Sequence, residues 1–269
     1  DPAKLPHPLE RGVDCLNRLD RANETEPYLD EVLARHPDCW QVLHAAAGIY
    51  HQKLYHWGYM VAGKFERGNH RGGGRYAECS DRDMVRSLQL YTQALAAAER
   101  TAAPPGDQAG ICRDFAMRLV ASYYGQMGWR MQELTDLTKL PDYGQNDYYP
   151  ARGAPVAADG TPVFYRVPAS LADAASDGER WRWLLDRAGK LNPALQPEML
   201  LLQADFWQSQ FGVETMAGYL GNVEPEDDDQ SSPYAVERLQ DNETIARLAI
   251  GIRRFSLPDE FNPMRLYRQ

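Results

Sequence analysis

The residues best suited to chemistry in this chain are its six histidines and one stretch rich in glycine and arginine. His44, His51 and His56 fall on one long expected helix, and His70 follows in the next loop. A zinc-binding helix places two histidines four residues apart, so that both overhang one ion. His44 and His51 are seven residues apart, about 10 Å of axial rise, too far to share a metal. They read as packing or surface histidines, and no metal ligand set is expected.

The stretch Gly63–Tyr76 is the most unusual segment. Consecutive glycines, Gly72 to Gly74, can turn backbone N–H groups toward an anion, and Arg67, Arg71 and Arg75 recur every four residues. It is no phosphate-binding loop, because GxxxxGK[ST] is absent and no strand is expected before it. It also lacks the strand–GxGxxG–helix context of a dinucleotide site. Its simplest reading is a shaped inter-helix loop whose arginines pair with surplus acids, with Glu66 and Glu78 as partners. The functional readings are a protein or peptide contact and, less simply, a small-anion site. The candidate partner-binding residues are Lys64, Arg67, Asn69, His70, Arg71, Arg75 and Tyr76. Tyr143 and Tyr148 join them from the polar, aromatic segment Tyr143–Pro150.

Nucleophiles are missing as motifs. There is no GxSxG elbow and no recognisable Cys–His arrangement. No carboxylate pair stands out as a glycosidase dyad. The expectation is therefore no catalytic residue and no cofactor. The enzyme alternative is a hydrolase with an all-α pocket, using His44, His51, Glu66 and His70.

The elements that must carry these residues are mostly helical. Met84, Leu88, Tyr91 and Leu95 make one stripe; Ile111, Phe115, Leu119 and Tyr123 make the next, with a stop near Gly128. Tyr28, Leu29, Val32 and Leu33 share a face after Thr25 as N-cap. Asp38 is placed to cap a helix running from Trp40 to about Met60, and Ser80 to Asp83 resembles a capping box. Trp181, Leu184, Leu185, Ala188 and Leu191 form a clean helical face. A further helix spans about Pro193 to Phe211, and a last one carries Ile245, Leu248, Ala249, Ile252 and Phe255. Ala154 to Val167 reads as a small hairpin about the Asp159-Gly160 turn. An acidic loop is expected from Glu224 to Pro233.

The fold class is then all-α: an irregular, tetratricopeptide-like helical repeat or solenoid with one small β-hairpin insertion. Residues 1–140 form a helix-pair part, 141–175 a loop and hairpin insertion, and 176–269 a second helical part packing on the first. The net charge of −9 and pI near 5.2 disfavour nucleic acid, whose phosphates call for clustered cations. No apolar run is long enough to cross a membrane. Cys15, Cys39, Cys79 and Cys112 form no CxxC pair; they read as small buried hydrophobes, with two disulfides as the alternative. Both chain ends look cut, as if from a longer precursor.

Several segments carry a resemblance. Tyr59–Tyr76 with Arg82–Leu90, then Leu134–Tyr143, Asp159–Pro168, Ser176–Trp183, Asp241–Ala249 and Leu257–Asn262 resemble the N-terminal helical region of large bacterial alpha-2-macroglobulin-like proteins. The resemblance runs from about residue 40 to the end of the chain. It implies a periplasmic, cell-envelope or secreted protein, in which this part is a non-catalytic interaction or scaffold module. Its implied partners are downstream macroglobulin domains or another protein or peptide. The parent would be a protease-trapping, endopeptidase-inhibitor type of protein. The thioester signature Cys-x-Glu-Gln of that family is absent here, so any trapping chemistry would lie elsewhere. A free-standing peptide-binding adaptor is the alternative.

Overall fold

Apolar side chains three and four residues apart set the helices of the first half of the chain. The computed structural model describes residues 2–121, 130–144, 153–213 and 239–269. The chain divides into two units, Asp1–Ala121 with Leu134–Tyr149, and Ser122–Glu133 with Pro150–Gln269. Both are mainly helical with small antiparallel β-elements. No helix among the described residues is long and apolar enough to cross a membrane.

In the first unit α1 is Pro6–Arg18, α2 Thr25–Arg35 and α3 Trp40–Gln52. After the sheet come α4, Ser80–Arg100, and α5, Pro105–Val120. α3 packs most extensively on α4. Alanines at Ala46, Ala47, Ala94, Ala97 and Ala98 are fully buried there, and small side chains let two backbones approach. The buried Ser87 hydroxyl donates to the Ala47 carbonyl at 2.8 Å across this contact. The expected stripes hold: Leu88, Tyr91 and Leu95 of α4, and Ile111, Phe115 and Leu119 of α5, are all buried.

The expected caps do not form. Thr25 is the first residue of α2, and its hydroxyl donates back to the Ala22 carbonyl. Asp38 pairs with Arg100 at 2.7 Å. Ser80 opens α4 without a side-chain cap, and Asp83 is drawn into an ion pair.

The largest correction falls between α3 and α4. The helix from Trp40 ends at Gln52, not Met60, and the expected inter-helix loop Gly63–Tyr76 is a loop only over 68–74. Three strands form instead: β1 Trp57–Val61, β2 Lys64–Arg67 and β3 Arg75–Glu78, ordered β2-β1-β3 and antiparallel throughout. Aromatic and β-branched residues at Trp57, Tyr59 and Val61 favour a pleated strand over a continued helix. Ala62 and Gly63 both have positive φ, 48° and 79°, as a two-residue type I′ hairpin turn requires. Gly58 lets β2 close on β1: a Cβ there would sit 2.1 Å from the Glu66 carbonyl oxygen. Gly58→Ala is therefore expected to break the β1–β2 ladder and lower the thermal midpoint sharply, as circular dichroism would show.

In the second unit α6 is Asp177–Leu191 and α7 is Gln196–Phe211. Ser176 caps α6, accepting from the Glu179 N–H, while Glu179 accepts from the Ala175 N–H. Trp181, Leu184, Leu185 and Ala188 bury the face the sequence predicts. The Asp159-Gly160 turn forms, with Gly160 at φ 84° and a bridge between Val156 and Pro162. The second correction is the last helix. Ile245 to Phe255 is a β-hairpin, β4 Glu243–Leu248 and β5 Gly251–Ser256. Thr244, Ile245, Ala246 and Leu248 are buried, and Ala154 pairs alongside Leu248 in parallel. A short turn of helix, α8 Pro263–Leu266, is capped by Asn262. None of the four cysteines is in a disulfide; Cys79 and Cys112 are buried, Cys39 is half-buried and Cys15 is exposed. The expected acidic loop, Gly128 and Tyr123 lie outside the described residues.

Candidate functional site

Strand alternation sorts the β1–β3 sheet into two faces. The register puts Tyr59 opposite Glu66 on one side and Tyr76 on the other, and Trp57 opposite Glu78. One face thus carries Trp57, Tyr59, Glu66, Tyr76 and Glu78, with Lys64 at its end. The opposite face carries Gly58, Phe65, Arg67 and Ala77 toward the helices.

The first face is aromatic and acidic. Trp57 and Tyr76 lie nearly parallel, 20° apart with ring centroids 6.3 Å apart. Tyr59 stands edge-on to both, at 6.3 Å from Trp57 and 6.1 Å from Tyr76. Tyr55 extends the row, edge-on to Trp57 at 5.8 Å. Tyr55 and Tyr76 are 42% and 40% exposed, unusual for rings so close to one another. The Tyr76 hydroxyl donates to Glu78 Oε1, and this hydrogen bond pushes its pKa up to about 12. The Glu78 carboxylate also accepts from Ser80. Glu66 Oε2 lies 2.7 Å from His70 Nδ1, and the His70 ring sits 6.0 Å from Tyr59. Glu66 and Glu78 therefore pair with His70 and with Tyr76 and Ser80, not with the arginines the sequence suggests.

The second face is locked to the helices by a buried charge cluster. Arg67, 3% exposed, makes a fork-like pair with Asp83 of α4, at 2.6 Å and 2.8 Å. It also donates to the Tyr55 carbonyl at 2.7 Å, to Cys79 Sγ and to Glu26 of α2 at 3.2 Å. His56 Nδ1 lies 2.9 Å from Asp83 Oδ2. Burial opposes ionisation of Asp83, yet the hydrogen bonds from His56 and Arg67 outweigh it and hold its carboxyl below the usual range. Burial pushes the Cys79 thiol well up, with the Asp83 charge adding to it. A protonated, 2%-exposed thiol is no nucleophile, although cysteine, histidine and aspartate meet here.

The sequence candidates separate accordingly. His70 and Tyr76 both meet Tyr59 on the aromatic face, and Lys64 stands at its end opposite Val61. Arg67 does not belong with them, because it is buried and internally paired. Arg71 and Arg75 are exposed. Asn69 donates to Asp20 at 3.3 Å. Tyr143 serves the inner face: it stacks on Phe65 at 4.3 Å, and Arg82 lies over its ring at 5.0 Å. Tyr148 lies outside the described residues. Trp57, Tyr59 and Tyr55 were not among the candidates, although alternating aromatics at 57 and 59 are a strand signal.

His44 and His51 lie apart from the aromatic face. His44 Nε2 lies 2.9 Å from Asp114 Oδ2, and Arg113 pairs with the same carboxylate. Burial, aided by Arg118 and His56, pulls His51 down to about 4. Among the described residues no three histidine, cysteine or acidic side chains are grouped to hold a metal ion. No family model matches the chain, and no curated protein or solved structure does either.

Proposed function

We propose that this chain is a non-catalytic scaffold and interaction module, and that the aromatic face of the β1–β3 sheet is its contact surface. The observation that carries the reading is Trp57, Tyr59 and Tyr76 held side by side at the surface between two carboxylates. Aromatic clusters of this kind are what protein interfaces bury. The bonded carboxylates and the overall charge of −9 select the partner's sign. An extended segment bearing arginine or lysine can lay its cations on the ring faces and reach Glu66 and Glu78. If the resemblance noted in the sequence holds, that segment would belong to downstream macroglobulin domains of an exported or envelope parent protein. Successive packing of α1 on α3, α3 on α4 and α4 on α5 is compatible with a tetratricopeptide-like stack beneath the face.

A hexa-arginine peptide tests the surface, read by shifts of the Trp57 indole and Tyr76 ring resonances. It is expected to bind at low salt, and Tyr76→Ala to weaken it about fivefold, near 1 kcal/mol. Equal shifts with hexaglutamate, or no shift at all, would remove the reading.

A further inference from the structure

Among the described residues, the second unit holds a buried guanidinium short of hydrogen-bond acceptors. Arg182 of α6 is 6% exposed, yet its Nε and Nη1 have no hydrogen-bond partner among the described residues. Its Nη2 stands 3.9 Å from Glu260 Oε2, beyond hydrogen-bond reach. Glu260 is itself engaged by Arg166 at 3.0 Å. The Phe261 ring lies 5.2 Å from the central carbon of the Arg182 guanidinium, and the charges of Glu260 and Asp186 favour the cation through space. Buried guanidinium groups are ordinarily saturated with acceptors, and among the described residues this one is not.

Arg182 also lines a cleft of about 240 Å³. Leu185, Leu200 and Leu266 give the cleft aliphatic wall, and Gln196 and Gln203 give it amides. We propose that this cleft is a binding site for a singly charged carboxylate carried on a short aliphatic stem, with Arg182 as its anchor. A guanidinium offers a carboxylate two parallel N–H bonds. The leucines would cover the stem. Asp186, paired with Lys190 at 2.6 Å, and Glu260 both border the cleft, and their charge repels a doubly charged phosphate more than a carboxylate. The volume suits a small acid or a single terminal residue of a peptide, below the usual range for drug-sized ligands. The site lies in the second unit and stands independently of the aromatic face in the first.

Isovalerate titrated into the whole chain, followed by leucine methyl and arginine Nε–H resonances, tests the site. Binding is expected to saturate, isopentanol of the same stem to leave the arginine signal unmoved, and Arg182→Gln to weaken isovalerate about tenfold or more. Glu260→Gln removes a competing carboxylate and is expected to tighten isovalerate while leaving the melting temperature nearly unchanged. That variant keeps the test decisive should Arg182→Gln fail to fold. A hexapeptide ending in leucine, with free or amidated C-terminus, separates the sources: tighter binding of the free form than of isovalerate assigns a peptide terminus, and the reverse assigns a free acid. Equal responses to isovalerate and isopentanol would overturn the proposal. So would a Glu260→Gln variant with lowered melting temperature and no gain in affinity, since Glu260 would then be the native partner of Arg182.

Discussion

Replacing Asp83 by alanine is expected to lower the stability of the first unit by about 3–5 kcal/mol, enough to unfold many domains of ordinary stability. The variant strands Arg67, 3% exposed, beside the Tyr55 carbonyl and a half-buried Glu26 with its main counter-charge gone. It also removes the acceptor facing His56 and the Cys79 thiol. Urea denaturation followed by circular dichroism measures the loss; a shift under 1 kcal/mol would show that the pair contributes little. Replacing both partners together, Arg67→Met with Asp83→Leu, is expected to recover much of it, because no buried charge is then left alone. The pH dependence has a definite sign. The folded-state pKa of Asp83 is depressed, so its contribution is present above the ordinary aspartate value near 3.9 and is lost as pH falls through the lower folded value. Asp83→Asn is expected to lack that acid limb.

Trp207→Ala is the counterpart in the second unit. Trp207 is fully buried, stacks on Phe211 at 5.6 Å, and meets Phe206 at 4.9 Å and Phe261 at 5.1 Å. Phe164, Tyr165 and Trp181 complete the ring of neighbours at 6.0–6.3 Å. Truncation leaves a cavity that stacked rings from α6, α7 and the loops close only partly, at about 3–5 kcal/mol. Loss of near-ultraviolet circular dichroism with retained far-ultraviolet signal would mark the loosened core. An unchanged denaturation midpoint would show the cluster to be redundant.

The helices were legible where one apolar stripe had one explanation. Met84 to Leu95 and Trp181 to Ala188 fit a period of 3.6 and no other, and both stripes are buried. The 245–255 segment misled because Ile245, Leu248, Ile252 and Phe255 fit a helical face as well as two paired strands. Gly251, at φ 108° where β5 begins just after the turn, is the local sign against a helix. At 57–67 the stripe failed for another reason. Neither the alternation of Trp57 and Tyr59 nor the Ala62-Gly63 turn is strong alone, and together they make a hairpin. The role of Arg67 was hidden altogether. Its partner Asp83 is sixteen residues away and belongs to the next helix, so local spacing carries no trace of the pair. Arg182 was equally silent, since an unsatisfied guanidinium is visible only once its neighbours are in place.

The fork between Arg67 and Asp83, with its branches to Tyr55 and Glu26, welds the strands to α2 and α4. A load pulling on the aromatic surface is thereby transmitted into two helices instead of peeling one strand from its edge. The platform resists shear as a unit, and the amides of β1 and β2 should exchange with solvent on the same slow schedule as those of α4.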